Sequence, residues 1–533
     1  MNFNPNSAEV LSNLGEALRK KSRLEESIRF CQQAIAADPK FRPAYINLGN
    51  AYKDQGLLRE AVLNYRNAIE LDPQSALAYT NLGDALAEQD NVEEAVDSYA
   101  KAIALKPEKN DAYTNMLFMY SAFQFASPQA EIEMARGWEK SLLSEAERAA
   151  ARTRASASAG VFSAEPRNGR QLRLGIVSAE LGRHAVAVFL QPFLNELDRQ
   201  RVHLTLFPTL LRDDATAQHF RSIADAYVPL VGMSDSDAAT RIRKERIDVL
   251  VDTTGYTSDC RLGISAHRAA PVQCSYIGYW STTGLTEMDW YITDENYSKG
   301  CEGHFTEGLW KLPHVAHCYK GDDSLPESTW SPDPDGIIWL GSLNRYNKIR
   351  TETLSLWAKV MRAIPESRLV LEDRALQQEE THERIRAALR SEGVSDDRVV
   401  FLPSVTSSDF ATHMRLYDRI DIALDTIPAN SGTTAFDALW MGVPLVALQG
   451  NRVCGRMAAS ILGVLGKPEW IAGTDDEYVA IVSKLARDVE GRTELRKTLR
   501  ASVKNSELCD GKGLARSLED AFEAMHDRWL ISQ

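Results

Sequence analysis

The sequence predicts an α-helical repeat solenoid followed by two parallel α/β lobes, and three observations carry the prediction. A 34-residue repeat runs through residues 1–122, strand–helix alternation begins at Leu172, and a second alternating series begins near Gly336. At 533 residues the chain has room for two or three domains, each with its own core. A net charge of −13 argues against nucleic acid and anionic membrane as main partners. No apolar run approaches the ~18 residues that span a bilayer and no basic, apolar leader opens the chain, so a cytoplasmic protein without a membrane partner is expected. The seven cysteines form no C-x-x-C, and His314, His317 and Cys318 cluster without a fourth ligand, so no metal site is expected.

Asn13-Leu14-Gly15, Asn47-Leu48-Gly49 and Asn81-Leu82-Gly83 recur at 34 residues, as do Pro39, Pro73 and Pro107, and that period is tetratricopeptide. Ala17, Ala51 and Ala85 allow close helix contact, while Ala34, Ala68 and Ala102 fill the second helix of each unit. Three repeats occupy 8–109, and a helix over 110–122 keeps the phase with Asn115. Pro5 is also in phase, so the chain begins either at the tail of a further repeat or at a cap. Asn47, Asn81 and Asn115, with Asn13, occupy one position of every unit. Stacking sets them as a ladder whose amides offer a donor and an acceptor to an extended acceptor peptide, or else stabilise the stack itself.

Residues 123–170 read as a helix, Ser127–Ser144, followed by a small-residue linker. A first α/β lobe over 171–330 takes strands at Leu172–Val177, His203–Phe207, Val249–Asp252, Val272–Ile277 and Trp290–Thr293. Helices Val186–Leu197 and Ser236–Glu245 lie between them. The second lobe, 331–510, takes strands at Ile337–Leu340, Leu369–Leu371, Val399–Leu402, Ile422–Leu424 and Leu445–Ala447. A last helix, Ala515–Trp529 within 511–533, is placed to cross back to the first lobe. Ligands of open α/β sheets bind at the carboxyl ends of the strands, which directs attention to the loops there.

Foremost is Asp425–Pro444. Gly432, Thr433 and Thr434 open a helix directly after a strand and loop, baring N–H groups at the positive end of the helix dipole, which suits a phosphate. Asp437, one turn in, is within reach of a sugar diol; the same residues would equally make an ordinary capped helix. In Gly341–Lys348, Lys348 and Arg345 follow the first strand of the second lobe and either neutralise a diphosphate or stand as solvated charges. Glu180 and His184 follow the first strand of the first lobe and would share a face, suited to proton transfer, if the segment turns helical. His413 precedes the Asp425 strand and either stacks on a base or caps its helix. Gly278 sits in a polar loop, Ile277–Gly284, that either lines the crevice or is a plain turn. Two D-x-D triplets, at Asp235 and Asp333, do not follow strands on the crevice side, so a metal-bound diphosphate is not expected.

These features together make the chain resemble the O-GlcNAc transferase/SPINDLY family of protein O-glycosyltransferases. The resemblance covers nearly the whole chain and is carried by the 34-residue repeats, R-L-G-I-V-S…H in the first lobe, P-V-Q…I-G-Y…T-T-G-L…D from Pro271 to Asp289, the Lys348 loop, and G-T-T…D-A-L-W-M-G-V-P. It implies a glycosyltransferase type B fold and inverting, metal-independent transfer of a sugar to Ser or Thr of protein acceptors presented by the repeats. No cofactor is implied; the donor is a nucleotide sugar. By this similarity Lys348 stabilises the departing nucleoside diphosphate, Thr433 and Thr434 hold its phosphates, Asp437 binds ribose and His413 packs on the base. His184 and Glu180 are the candidate proton acceptors. Glu180 stands where an aspartate is usual, Asn347 where a tyrosine precedes the lysine, and Leu416 where an arginine holds uracil. UDP-GlcNAc is the favoured donor and GDP-fucose, used by SPINDLY-type enzymes, the alternative. Oligomeric state, including a homo-oligomer, is open.

Overall fold

Helix pairs at the expected period build the first part of the chain: α1 (Ala8–Lys20), α2 (Leu24–Ala37), α3 (Arg42–Gln55), α4 (Leu58–Leu71), α5 (Ala76–Glu88), α6 (Val92–Leu105) and α7 (Asp111–Phe123). The computed structural model describes residues 7–107, 111–124, 126–156, 160–163, 166–373, 376, 378–405 and 410–533. Pro5 lies outside them. The repeat motif has a steric cause. A Cβ on Gly49 would lie 2.6 Å from the Tyr65 ring and one on Gly83 2.7 Å from Tyr99, so the missing methyl lets the first helix of each pair seat an aromatic of the second. Cys31 takes the tyrosine's place in the first repeat, and Ala34, Ala68 and Ala102 are buried.

Polar joints link the pairs. The Tyr65 hydroxyl donates to Asn50 Oδ1 at 2.8 Å, and the same oxygen accepts from Asn81 Nδ2 of the next repeat at 2.9 Å. Asp84 Oδ1 likewise accepts from the Tyr99 hydroxyl at 2.7 Å and from Asn115 Nδ2 at 2.8 Å. Asn47 Nδ2 reaches Ser12 Oγ at 2.9 Å.

Two adaptor helices follow, α8 (Pro128–Leu142) and α9 (Glu145–Ala155), the second opened by a capping box between Ser144 and Glu147. The first lobe contains β1 (Leu172–Ser178), α10 (Ala185–Glu196), β2 (Val202–Pro208), α11 (Ala215–Ile223), β3 (Ala226–Tyr227), α12 (Asp235–Lys244), β4 (Val249–Asp252), α13 (Gly263–Ala266), β5 (Val272–Ser275), β6 (Trp290–Asp294), α14 (Glu295–Ser298) and β7 (Gly308–Leu312). The second contains β8 (Ile338–Ser342), α15 (Thr351–Ala363), β9 (Ser367–Leu371), α16 (Glu379–Ser391), β10 (Val399–Phe401), α17 (Phe410–Arg415), β11 (Ile422–Leu424), α18 (Thr433–Trp440), β12 (Leu445–Leu448), α19 (Met457–Val464), β13 (Ile471–Ala472), α20 (Asp475–Arg487), α21 (Val489–Lys504) and α22 (Gly511–Ile531).

Compactness divides the chain into two units. The smaller gathers the repeats through Met119 with Leu343–Ala358 and Leu371–Ser404; the larger holds Tyr120–Ser342, Lys359–Val370 and Val405–Gln533. Within the larger unit the first sheet is wholly parallel, in the order β3-β2-β1-β4-β5-β6-β7. Its central strands are continuous apolar runs because helices cover both faces: Leu174, Ile176, Val249 and Val251 are fully buried. In the second sheet β9, β8, β11, β12 and β13 follow one another.

The strands β3, β7 and β13 were not expected. Two-residue strands carry no alternation, and β7 is an edge strand whose half-buried Trp310 and Lys311 blur the pattern. The last helix, α22, does cross to the first lobe: buried Glu519 accepts from the Asp198 N–H at 2.6 Å and from Arg201 at 3.0 Å. Among the described residues no helix is long and apolar enough to cross a membrane.

Candidate active site

The loop before α18 is built around Asp425, at the carboxyl end of β11. Its Oδ1 accepts from the Ser431 N–H at 2.8 Å, the Ser431 hydroxyl at 2.5 Å and the Thr426 N–H at 2.9 Å. The Thr426 hydroxyl donates to Ala429 O at 2.7 Å, so residues 425–431 form a closed polar turn that delivers Gly432 to the helix N-terminus. Gly432 is the N-cap, and a Cβ there would meet only Met457, at 3.7 Å, leaving approach to the helix end open. Thr433 and Thr434 are half-exposed in the first turn, where N–H groups lack intrahelical acceptors and the dipole favours an anion.

Asp437, one turn in, is 9% exposed, and the Tyr319 hydroxyl donates to its Oδ1 at 2.7 Å. Tyr319 is fixed by parallel stacking on Phe436, ring centroids 5.0 Å apart, and by an edge contact with Trp440. Burial pushes the Asp437 carboxyl up to about 6, against the pull of the Tyr319 hydroxyl and of His413. His413, half-buried on α17, thus shares the field of Asp437, with Tyr417 edge-on to its ring at 6.5 Å. The first lobe reaches the same helix, since Phe189 of α10 packs on Phe436 at 5.7 Å.

Glu180 and His184 do not share a helical face. Residues 179–184 stay irregular, and His184, with extended backbone, is the N-cap of α10, its Nδ1 accepting from the Val186 N–H at 3.2 Å. The run opens no helix earlier because the Glu180 side chain folds back: Oε2 accepts from the Ser178 hydroxyl at 2.9 Å and the Thr254 hydroxyl at 2.8 Å. With Nδ1 accepting, a neutral His184 ring carries its proton on Nε2 and presents a donor. Burial raises the Glu180 carboxyl above the usual range, and buried Asp252, at the end of neighbouring β4, is pushed up to about 7 by burial, the Glu180 charge acting the same way. Gly278 has a packing cause: a Cβ would collide with the carbonyl oxygen of Thr253. The adjoining loop is tied down by buried Glu307, which accepts from the Thr282 hydroxyl and the Thr283 N–H, each at 2.6 Å.

Lys348 and Arg345 belong to the smaller unit. Arg345 is exposed; Lys348 is half-buried and ends a 3-10 turn, Tyr346–Lys348, its N–H donating to Arg345 O at 2.9 Å. In the ladder, the amide nitrogens of Asn47, Asn81 and Asn115 each bond to the preceding repeat, so these donors serve the stack itself. Asp235 lies in the first turn of α12, capped by Ser234, and pairs with Arg261 at 2.5 Å, while Asp333 accepts from the Trp339 indole at 2.9 Å. The first carboxylate of each D-x-D triplet thus has a protein partner.

Sequence reasoning missed Tyr319, Asp252, Asp425 and Glu307. Only Asp425, six residues before Ser431 and directly after a strand, left a local signal.

Comparison with known proteins agrees with this architecture. The family model described as "Glycosyl transferase family 41" matches residues 158–323 and 329–518, and tetratricopeptide models match 10–43, 49–90 and 76–109. A barley (Hordeum vulgare) protein described as "Probable UDP-N-acetylglucosamine--peptide N-acetylglucosaminyltransferase SPINDLY" is 32% identical over 68% of this chain and 39% of its own length. The Arabidopsis thaliana protein described in the same terms but as SEC is 28% identical over 67% of this chain and 37% of its own. The chain therefore spans about two-fifths of the length of the curated relatives it matches. A solved structure of a mutant Thermobaculum terrenum O-GlcNAc transferase superposes with a TM-score of 0.85 at 29% identity, covering 98% of each chain.

Proposed function

The chain belongs to glycosyl transferase family 41, and from that premise we propose that it is a cytoplasmic protein O-glycosyltransferase of type B fold, moving a sugar from a nucleoside diphosphate donor to Ser or Thr hydroxyls of proteins. The observation that carries the reading is the α18 N-terminus: Gly432, Thr433 and Thr434 form an anion seat, with the buried, Tyr319-held carboxylate of Asp437 one turn away. Diphosphate oxygens take the N–H groups and threonine hydroxyls, and Asp437 takes the ribose diol, with His413 on the base.

In the transfer an acceptor hydroxyl oxygen bonds to the anomeric carbon as the bond to the diphosphate oxygen breaks, with inversion. Lys348, with Arg345 nearby in the chain, balances the charge that develops on the leaving group, and such preorganised cations act chiefly in the transition state. The acceptor proton passes to a base for which Glu180 and His184 are the candidates; the donor tautomer of His184 favours Glu180 as the acceptor of that proton. Metal independence is supported by the engagement of Asp235 and Asp333 with protein partners. The repeats present the acceptor chain, with the ladder oxygens of Asn47, Asn81 and Asn115 as main-chain contacts.

UDP-GlcNAc is the donor we favour, because Asp437 agrees with the ribose-binding acid of the O-GlcNAc transferases that the chain resembles. GDP-fucose is the second reading, on Leu416, which stands where an arginine would hold uracil. Co-expression with an acceptor pool and mass spectrometry tests both: a HexNAc increment on Ser or Thr supports the first, a deoxyhexose increment the second, and the absence of both refutes the proposal.

A further inference from the structure

The turn that carries Lys348 is held by the repeats. Two and three residues beyond Lys348 stand Arg350 and Thr351, and one carboxylate binds both: Asp90, in the turn between α5 and α6. Asp90 Oδ1 pairs with the Arg350 guanidinium, while Oδ2 accepts from the Thr351 N–H at 3.1 Å and the Thr351 hydroxyl at 2.6 Å. Arg350 also donates to Ala87 O at 3.3 Å. Arg384 of α16 completes the seat: it lies 3.5 Å from Asp90 Oδ2, donates to Ile349 O at 3.1 Å and stacks 4.9 Å above the Tyr346 ring. The ring and the carbonyl flank Lys348 on either side in the chain. Arg350 is 4% exposed, so removing its carboxylate leaves a buried charge without its partner.

The backbone gives an independent sign. Ser22, Gly56 and Asp90 share one repeat position, and all three adopt positive φ, 57°, 85° and 67°. Glycine and, among the other residues, aspartate tolerate that conformation best, and of the three only Asp90 brings a carboxylate to it. The equivalent turn of the second repeat meets a different segment, the start of α16, where Gln378 Nε2 donates to Gln55 O at 2.8 Å.

We propose that Asp90 is a positioning residue for Lys348, fixing the turn and the start of α15 so that the ammonium stands where the leaving diphosphate needs it. This rests on the reading of Lys348 as the cation that balances that leaving group, and it brings the third repeat into the chemical step. The test uses the full chain and hydrolysis of the donor without acceptor, which removes any acceptor-binding role of the repeats. UDP-GlcNAc is the probe, or GDP-fucose if that is the donor turned over. Asp90→Asn lowers kcat about tenfold or more, with donor KM within about twofold, in the folded protein. On a Lys348→Ala background the same change costs less than about twofold, because its effect runs through the missing ammonium. Thr351→Val, a milder loss of one contact, lowers kcat about two- to fivefold and serves if Asp90→Asn does not fold. A kcat within about twofold of wild type in folded Asp90→Asn, or losses that multiply in the double variant, overturns the proposal. If Lys348→Ala alone keeps more than about a tenth of wild-type turnover, the reading of Lys348 fails first and the proposal falls with it.

Discussion

Tyr319→Phe separates the packing of the Asp437 pocket from its electrostatics. The substitution keeps the ring stacked on Phe436 and removes one hydroxyl, the donor 2.7 Å from a carboxylate that is otherwise buried. A hydrogen bond to a charged group is worth about 1.5–3 kcal/mol, and each 1.36 kcal/mol moves a carboxyl by about one pH unit. In the native protein Asp437 titrates at about 6, held up by burial and pulled down by Tyr319. The sign follows from the carboxylate being the form that accepts the ribose hydroxyls. Donor affinity in the wild type is full above about pH 6 and falls as Asp437 takes a proton below it; in Tyr319→Phe the fall begins about one to two pH units higher. At pH 7 the variant then binds about two- to tenfold more weakly, and at high pH the difference narrows. Calorimetry with intact UDP-GlcNAc across this range is the assay, since its esterified diphosphate carries no group that titrates near neutrality. Asp437→Asn, which has nothing to titrate, should give a low, pH-independent affinity. A loss in Tyr319→Phe that is the same at every pH, or no loss, refutes the argument.

Three further outcomes follow from the structure. Lys348→Ala should leave the fold intact and lower turnover by roughly 2–4 kcal/mol of barrier, read by single-turnover kinetics. Replacing Asn47, Asn81 and Asn115 together by Ala should lower the thermal midpoint, because each amide bonds to the preceding repeat at a worth of about 0.5–1.5 kcal/mol; a normal melting curve with reduced acceptor modification would assign the ladder wholly to the acceptor. Gly49→Ala puts a methyl 2.6 Å from the Tyr65 ring and should destabilise the repeats by about 1–3 kcal/mol in denaturant titration, with donor hydrolysis retained while the protein is folded.

The parts of this molecule readable from sequence are those whose partners lie at fixed spacing. The repeats were legible because Gly15, Gly49 and Gly83, or Ala34, Ala68 and Ala102, recur in register, and α18 because Gly432, Thr433, Thr434 and Asp437 lie close together in the chain. Tyr319 was not, since it meets Asp437 across 118 residues and no local pattern marks a tyrosine as a carboxylate's donor. Asp252 is coupled to Glu180 only because β4 lies beside β1, a neighbour relation that strand order decides and composition does not. The helix start near Val186 was legible, but that His184 is its cap was not: a histidine can cap a helix as serine does, and the helix on which a shared face with Glu180 depended does not form.

The polar joints between repeats have a consequence for how a stack of repeats can change over generations. The seat that receives both a tyrosine hydroxyl and the next repeat's amide is filled by Asn50 in one joint and by Asp84 in the following one, with bond lengths alike. Each joint uses one acceptor oxygen, and where that residue is anionic its second oxygen pairs with a cation of the preceding repeat, Lys53 at 3.5 Å from Asp84. The charge carried by a joint can therefore change from one repeat to the next when the cation beside it changes too, while the hydrogen bonds that hold the repeats together are inherited unchanged.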